Sequence, residues 1–313
     1  MTFDIIALVN IVLTLFFLVV AGFVSRKLGF INDTLSKGFS NFVIYVCQPF
    51  LIFSSILGVE YSLENLKNGG MLFLIICLAQ TVMGLLAFFL VRWIKEPTER
   101  NISEYAVIFS NVGFMGMPLY EVTFGPIGRF YGAIYIIVFN LLTWSYGLMV
   151  LGRKVPTVKL NVRKIFLNVG TVPSVIGILL YVLRVPVPVS VLDAVDYLGS
   201  LCTPMSMIII GSLIATIPMK KLFCDVKIYF VSIARLIVMP IVVTLVLSLF
   251  GLPRELVLFC GFVASLPSPT NVATFGEVFD LSPKYAASIV GVSTILSVIT
   301  VPLIFKLITS FVY

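Results

Sequence analysis

Ser110-Asn111-Val112-Gly113-Phe114-Met115-Gly116-Met117-Pro118 stands in the middle of an otherwise apolar, membrane-length segment, Tyr105–Val122. A second segment, Leu256–Val278, is interrupted by Ser265-Leu266-Pro267-Ser268-Pro269-Thr270-Asn271. A helix facing lipid tolerates neither run, because a backbone group left unpaired in hydrocarbon costs several kcal/mol. Such interruptions persist where protein or a watery cavity supplies partners, and in carriers paired breaks mark the substrate site. Two of them in one chain point to a carrier.

The rest of the sequence agrees with a membrane location. Hydrophobic residues make up 60% and charged residues 11%, and the mean hydropathy is +1.13, which is the composition of a polytopic membrane protein. A span needs ~20 mostly apolar residues, and about ten segments qualify. In the first half these are Ile5–Val24, Phe39–Leu57, Met71–Val91, Tyr105–Val122 and Phe130–Leu151. In the second they are Ile165–Leu183, Tyr197–Ile217, Ile228–Phe250, Leu256–Val278 and Tyr285–Ile308. The fold class expected is an all-α integral membrane protein of about ten helices.

A formal charge of +7 raises the question of nucleic acid, but the basic residues form no single face. They alternate from loop to loop. Arg26, Lys27 and Lys37 follow the first span; Arg92, Lys95 and Arg100 follow the third. Arg153, Lys154, Lys159, Arg163 and Lys164 separate the fifth from the sixth, and Lys220, Lys221 and Lys227 follow the seventh. The loops between hold mostly one each: Lys67, Arg129, Arg184 and Arg254. By the positive-inside rule the rich loops are cytoplasmic, both termini lie outside, and the protein is a multi-pass component of the cell membrane. The first span has no basic residue before it, so it reads as a retained helix rather than a cleaved signal. Its partners are then the lipid bilayer and a small solute, not nucleic acid.

The loop Arg153–Lys164 divides the chain into residues 1–152 and 165–313, each expected to hold five spans. An odd number per half inverts the second half. Internal similarity supports a duplication: Gln48-Pro49 and Thr203-Pro204 lie 155 positions apart, and the same offset carries Gln80 onto Arg235. It also carries Asn111–Pro118 onto Leu266–Ala273, within the second break, while Glu121-Val122 and Glu277-Val278 lie 156 apart. Paired interrupted segments in corresponding places are the mark of an inverted-repeat carrier.

Gln48-Pro49 after an aromatic-rich second helix, the Asn111–Pro118 run and the Ser265–Asn271 run together resemble the auxin efflux carrier family. That family includes plant auxin carriers and many bacterial organic-acid permeases. The resemblance covers nearly the whole chain, and the short central loop is like that of the bacterial members. It implies a fold similar to bile-acid symporters and sodium/proton antiporters, in which the broken fourth and ninth helices cross. Where family members usually read Ala-Val-Asn after the second proline, this chain has Thr270-Asn271-Val272.

At such a crossing, each half-helix N-terminus carries unpaired N–H groups and roughly half a positive charge. A carboxylate binds there without requiring a lysine. Asn111 and Asn271 can each donate and accept. Gly113 and Gly116 admit close backbone approach, and Pro118, Pro267 and Pro269 keep the helices open. Gln48 and Thr203, each before a proline, add side-chain or freed-carbonyl contacts. Arg235 is the only basic residue well inside a span, and its charge must face protein or water. Substrate contact, gating and snorkelling toward the nearer interface all stay open for it. Glu121 and Glu277 close their spans, where proton coupling and a plain interfacial position both stay open. No cofactor or metal is expected, since the chain has no histidine and its five cysteines have no paired ligand spacing.

The function expected is secondary active transport of a small organic anion, such as a malate-like dicarboxylate or an auxin-like acid, by alternating access in efflux or exchange. Coupling to protons or sodium is open, and the related fold often forms homodimers. A sodium-coupled symporter of bile-acid type or a cation/proton antiporter is the alternative within transport. Both are weakened because no acid stands mid-span in this reading. A non-transporting membrane sensor is the alternative of another class, though no output domain is present. Enzymatic hydrolysis lacks its usual general bases, and no GxxxxGK[ST] loop supplies ATP drive.

Overall fold

The computed structural model describes residues 4–153, 167, 169–217, 225–279 and 281–312. Lys154, Lys159, Arg163 and Lys164 of the central basic loop, with Lys220, Lys221, Cys224 and Asp280, lie outside the described residues. All regular structure among the described residues is helical. In chain order the helices are α1 (Ile5–Lys27), α2 (Asp33–Leu57), α3 (Leu63–Leu90), α4 (Pro97–Ile108), α5 (Gly116–Phe124) and α6 (Pro126–Leu151). They continue as α7 (Thr171–Leu183), α8 (Val189–Ala215), α9 (Val226–Ser248), α10 (Arg254–Ala264), α11 (Asn271–Val278) and α12 (Pro283–Val312).

Seven of these, namely α1, α2, α3, α6, α8, α9 and α12, are long and apolar enough to cross a bilayer unaided. The other three expected segments appear as the short apolar helix α7 and two helix pairs, α4/α5 and α10/α11, each parted at a sequence break. The exterior is apolar: Ile6, Phe17, Leu74, Leu85, Leu183 and Leu303 are all exposed. Apolar surface on this scale, spread over several helices, belongs against lipid rather than water. The chain is a multi-pass membrane protein.

The chain forms two compact units. The first comprises Met1–Phe73, Val112–Leu142 and Asn161–Ser212; the second comprises Leu74–Asn111, Thr143–Leu160 and Leu213–Tyr313. Each draws on both halves of the sequence. In the first unit, α2 packs against α7, α8 and α6, while α5 lies against α6 and α1. Helices α1 and α8 meet through small residues, for a Cβ added at Gly22 would strike the Ile208 backbone and one at Gly211 the Val19 backbone. Such close approach is how helices pack where no aqueous hydrophobic effect drives them together.

In the second unit the 30-residue α12 runs beside α9, α10, α11 and α4. Helix α4 begins at Pro97, not at Tyr105 as the hydropathy suggested, because its start is well capped. Glu96 accepts the Glu99 N–H at the N-cap and Pro97 takes the first position, where its missing N–H costs nothing. Burial pushes the Glu96 carboxyl up, but hydrogen bonds from Glu99 and Thr98 and the nearby Lys227 charge outweigh it and hold the group below the usual range. The longer helix carries Ser103 and Glu104 into the packed interior.

Three helices contain a π-helical turn: Val43–Cys47 in α2, Thr143–Gly147 in α6 and Ala234–Val238 in α9. Two of them sit just before a proline, Pro49 and Pro240. A proline inside a helix removes one hydrogen bond and crowds the carbonyl four residues back. Widening the preceding turn relieves that conflict and lets the helix continue, and such bulges recur at functional sites.

Candidate functional site

The two breaks meet inside the second unit. Asn111, just past the end of α4, donates its backbone N–H to the Pro267 carbonyl at 2.9 Å. Ser268 donates its hydroxyl to the Ala106 carbonyl at 3.0 Å and its N–H to Ser293 Oγ of α12 at 3.2 Å. These bonds give partners to backbone that neither break can satisfy within its own helix.

Arg235 lies in the π-turn of α9 and is completely buried. Its guanidinium reaches the C-terminal ends of both parted helices. Nη1 donates to the carbonyls of Val107 (2.9 Å) and Ile108 (3.2 Å) at the end of α4. Nε donates to Leu266 O (3.0 Å) and Nη2 to Val263 O (3.4 Å), around the end of α10. Nη2 also donates to Ser110 Oγ, and Met83 Sδ lies 3.5 Å from Nη1. A guanidinium has five N–H donors, and at least five oxygen acceptors and the Met83 sulfur lie against this one. A helix C-terminus leaves carbonyls without partners and carries roughly half a negative charge. Two such ends and one guanidinium sum to about zero. That balance explains why a full positive charge is tolerated at this depth, where it would otherwise cost at least ~2.5–3.5 kcal/mol.

Asn111 is 3% exposed, and its side-chain Nδ2 has no hydrogen-bond partner among the described residues. Pro267 and Pro269 are buried in the second break, and Asn271, partly exposed, opens α11. Asn111, Pro267, Pro269, Asn271 and Arg235 thus all belong to the second unit. Gln48, Gly113, Gly116, Pro118 and Thr203 belong to the first. There a Cβ added at Gly113 would meet only the Gln48 amide, at 3.6 Å, whereas one at Gly116 would run into the Tyr120 ring. Gly116 is the first residue of α5, with Pro118 two residues on; Thr203 and Pro204 follow the irregular Leu201 in α8.

The two carboxylates expected to close their spans differ. Glu121 is exposed and pairs with Arg129 at 3.5 Å, and Arg129 also reaches Asp196 and Ser54. The Glu277 side chain lies outside the described residues. The hydropathy reading missed Glu104, the only buried acid among the described residues. Both its oxygens accept from Arg153 Nη1, at 2.7 and 2.9 Å, and the Arg153 carbonyl accepts from Asn101. It missed Ser110 and Ser268 as well. Both stood in the quoted runs, but a serine in a membrane helix commonly bonds back to its own turn, so residue type alone carried no signal.

With this geometry established, comparison with known proteins places the chain. A family model described as "Membrane transport protein" matches residues 7–161 and 153–305. This chain belongs to that family. The resemblance to auxin efflux carriers is borne out with it. The transporter is 25% identical over 312 residues to an uncharacterized transporter of Methanocaldococcus jannaschii, covering 94% of this chain and 96% of that protein. It is 23% identical over 311 residues, covering 96% of each chain, to a Rhizobium meliloti protein provisionally named a malonate transporter. An uncharacterized transporter of Methanothermobacter thermautotrophicus matches at 23% over 296 residues, with 93% and 95% covered. The chain therefore stands among membrane transporters rather than enzymes, embedded in lipid and acting on a small molecule.

Proposed function

We propose that this transporter moves a small organic anion across the cell membrane by alternating access, binding a carboxylate at the paired helix breaks. One observation carries the reading. Among the described residues Asn111 Nδ2 is a buried amide donor with no acceptor, beside helix ends whose Val107, Ile108 and Leu266 carbonyls already accept from Arg235. A buried donor left empty costs about 1–3 kcal/mol, and a ligand oxygen removes that cost. The name of the Rhizobium meliloti relative supports a dicarboxylate of malonate type. In this proposal ten spans form two inverted five-helix repeats with both termini outside, and Asn271 acts alongside Asn111. Gln48, Gly113, Gly116, Pro118 and Thr203, in the first unit, are further substrate-binding residues in this proposal. Arg235 serves the site by fixing the ends of α4 and α10.

Coupling to a cation is the second reading, and Glu104 favours it. A buried carboxylate in α4, seven positions before Asn111, is the kind of group that carries protons in related transport chemistry.

Counterflow in proteoliposomes, with labelled malonate and a panel of mono- and dicarboxylates, tests the proposal under imposed proton and sodium gradients. Asn111→Ala and Asn271→Ala should each weaken uptake about tenfold or more, as expected for a lost hydrogen bond to a charged group. The double variant should be little worse than either single one, since both residues act on one ligand. Wild-type affinity in both well-folded single variants would move the substrate away from the breaks.

A further inference from the structure

Inside the first unit, α3, α6 and α7 enclose a half-open cavity of about 280 Å³ that contains no residue of either break. Its walls include Phe73 of α3, Ile134 and Ile137 of α6, and Ile178 of α7. The one polar side chain in the lining, Tyr181, is already committed: its hydroxyl donates to Glu60 O at 3.0 Å and accepts the Ser62 N–H at 3.3 Å. The cavity therefore offers a ligand no free hydrogen-bonding group, and a carboxylate would be left unpaired there. Hydrocarbon suits it.

Two adjacent glycines of α3 show how the space is made. A Cβ at Gly69 would press on Ile134 Cδ1 at 2.8 Å and Phe130 Cε1 at 3.3 Å, so that glycine is explained by helix packing. A Cβ at Gly70 would meet nothing within 4 Å. Glycine within a helix is destabilising relative to alanine. No protein contact offsets that cost at Gly70, whereas a guest in the cavity would.

From the lining residue Tyr181 a chain of contacts leads to a charge: the Tyr181 ring lies 5.4 Å from Tyr61, and the Arg184 guanidinium lies 4.0 Å over the Tyr61 ring. Arg184 caps the end of α7 in a left-handed conformation, and α3 starts nearby in sequence at Leu63. Tyrosines and a cation at helix ends are the groups that sit at a membrane interface. An apolar slot leading to a guanidinium at that level matches a hydrocarbon chain with an anionic head. We propose that this cavity holds one acyl chain of a membrane phospholipid, with the lipid phosphate on Arg184.

The test uses full-length transporter in proteoliposomes containing phosphatidylglycerol with a photoreactive diazirine on one acyl chain. A parallel arm uses a diazirine fatty acid. Cross-links mapped by mass spectrometry should concentrate on the peptides bearing Phe73 and Ile178, at least fivefold above the exposed Phe17 of α1. Gly70→Leu fills the cavity where no atom stands in its way and should reduce that labelling to the Phe17 level. Arg184→Gln should lower phospholipid labelling several-fold and leave fatty-acid labelling less affected. Unlabelled phospholipid should compete in the wild type, which keeps the test decisive if a variant folds poorly. Even labelling over all lipid-facing helices, no change in folded Gly70→Leu, or labelling by the fatty acid alone would each overturn the proposal.

Discussion

Replacing Arg235 with glutamine separates a structural anchor from a ligand-binding charge. Gln supplies two N–H donors where Arg supplies five, so at least three of the acceptors at Val107, Ile108, Ser110, Val263 and Leu266 lose their donor. Each buried orphan costs about 1–3 kcal/mol. The gain from no longer burying a charge offsets part of this. The net loss should fall near the ~3–5 kcal/mol typical of removing one partner from a buried charged contact. Arg235→Lys keeps the charge and three donors, so it should recover about half of that loss. A thiol-reactive dye in detergent reads the effect directly, because Cys260 is buried within α10, one of the two helices Arg235 holds. The melting order expected is wild type, then Arg235→Lys, then Arg235→Gln. If Arg235→Gln melts within 1 °C of wild type yet loses stabilisation by substrate, the residue acts on the ligand and the anchoring argument fails.

Two further outcomes follow from the same structure. Removing Glu104 strands Arg153, but that side chain is 40% exposed and can rehydrate, so Glu104→Ala should cost only about 1–3 kcal/mol. Glu104→Ala with Arg153→Ala should melt above the single variant, and a further drop in the double variant would mean the pair is not the relevant contact. For topology, cysteines at Lys67, near the N-terminal end of α3, and at Lys95, beyond its C-terminal end, should label from opposite faces, Lys95 from the cytoplasm. Labelling of both from one face would refute the orientation.

The breaks were legible in the sequence because their signal is chemical and local. Asn111 to Pro118 and Ser265 to Asn271 break helices wherever they occur, and the structure parts α4 from α5 and α10 from α11 within those runs. The direction of Arg235 was not legible. Its aim depends on the π-turn Ala234–Val238, and a π-turn shifts every following side chain around the helix relative to a regular 3.6-residue count. Glu104 was missed for a different reason: hydropathy ends a span at the first charged residues, whereas the Glu96–Pro97 cap starts the helix earlier. The two compact units were illegible as well. They interleave segments from both halves, so no composition shift marks their borders.

The disposition of Arg235 bears on which charge the breaks can accept. A parted helix presents one C-terminal and one N-terminal end, with roughly −0.5 and +0.5 of an elementary charge. Arg235 holds the C-terminal ends of α4 and α10, and its charge about cancels theirs. The N-terminal ends are a separate matter. Helix α5 starts at Gly116 with no side-chain cap, and α11 starts at Asn271 with no acid in its first turn. Their positive ends are therefore not neutralised by an acidic side chain of their own first turns. A cation would have to displace the guanidinium to reach the carbonyls it prefers, at the cost of the acceptors holding both helix ends. In the proposed function an anion needs no such displacement: within the second unit it meets the N–H groups at the start of α11 and the Asn111 amide, which has no acceptor among the described residues. The placement of one buried arginine thus offsets the partial negative charge at the ends of α4 and α10, a balance on which the proposed anion transport relies.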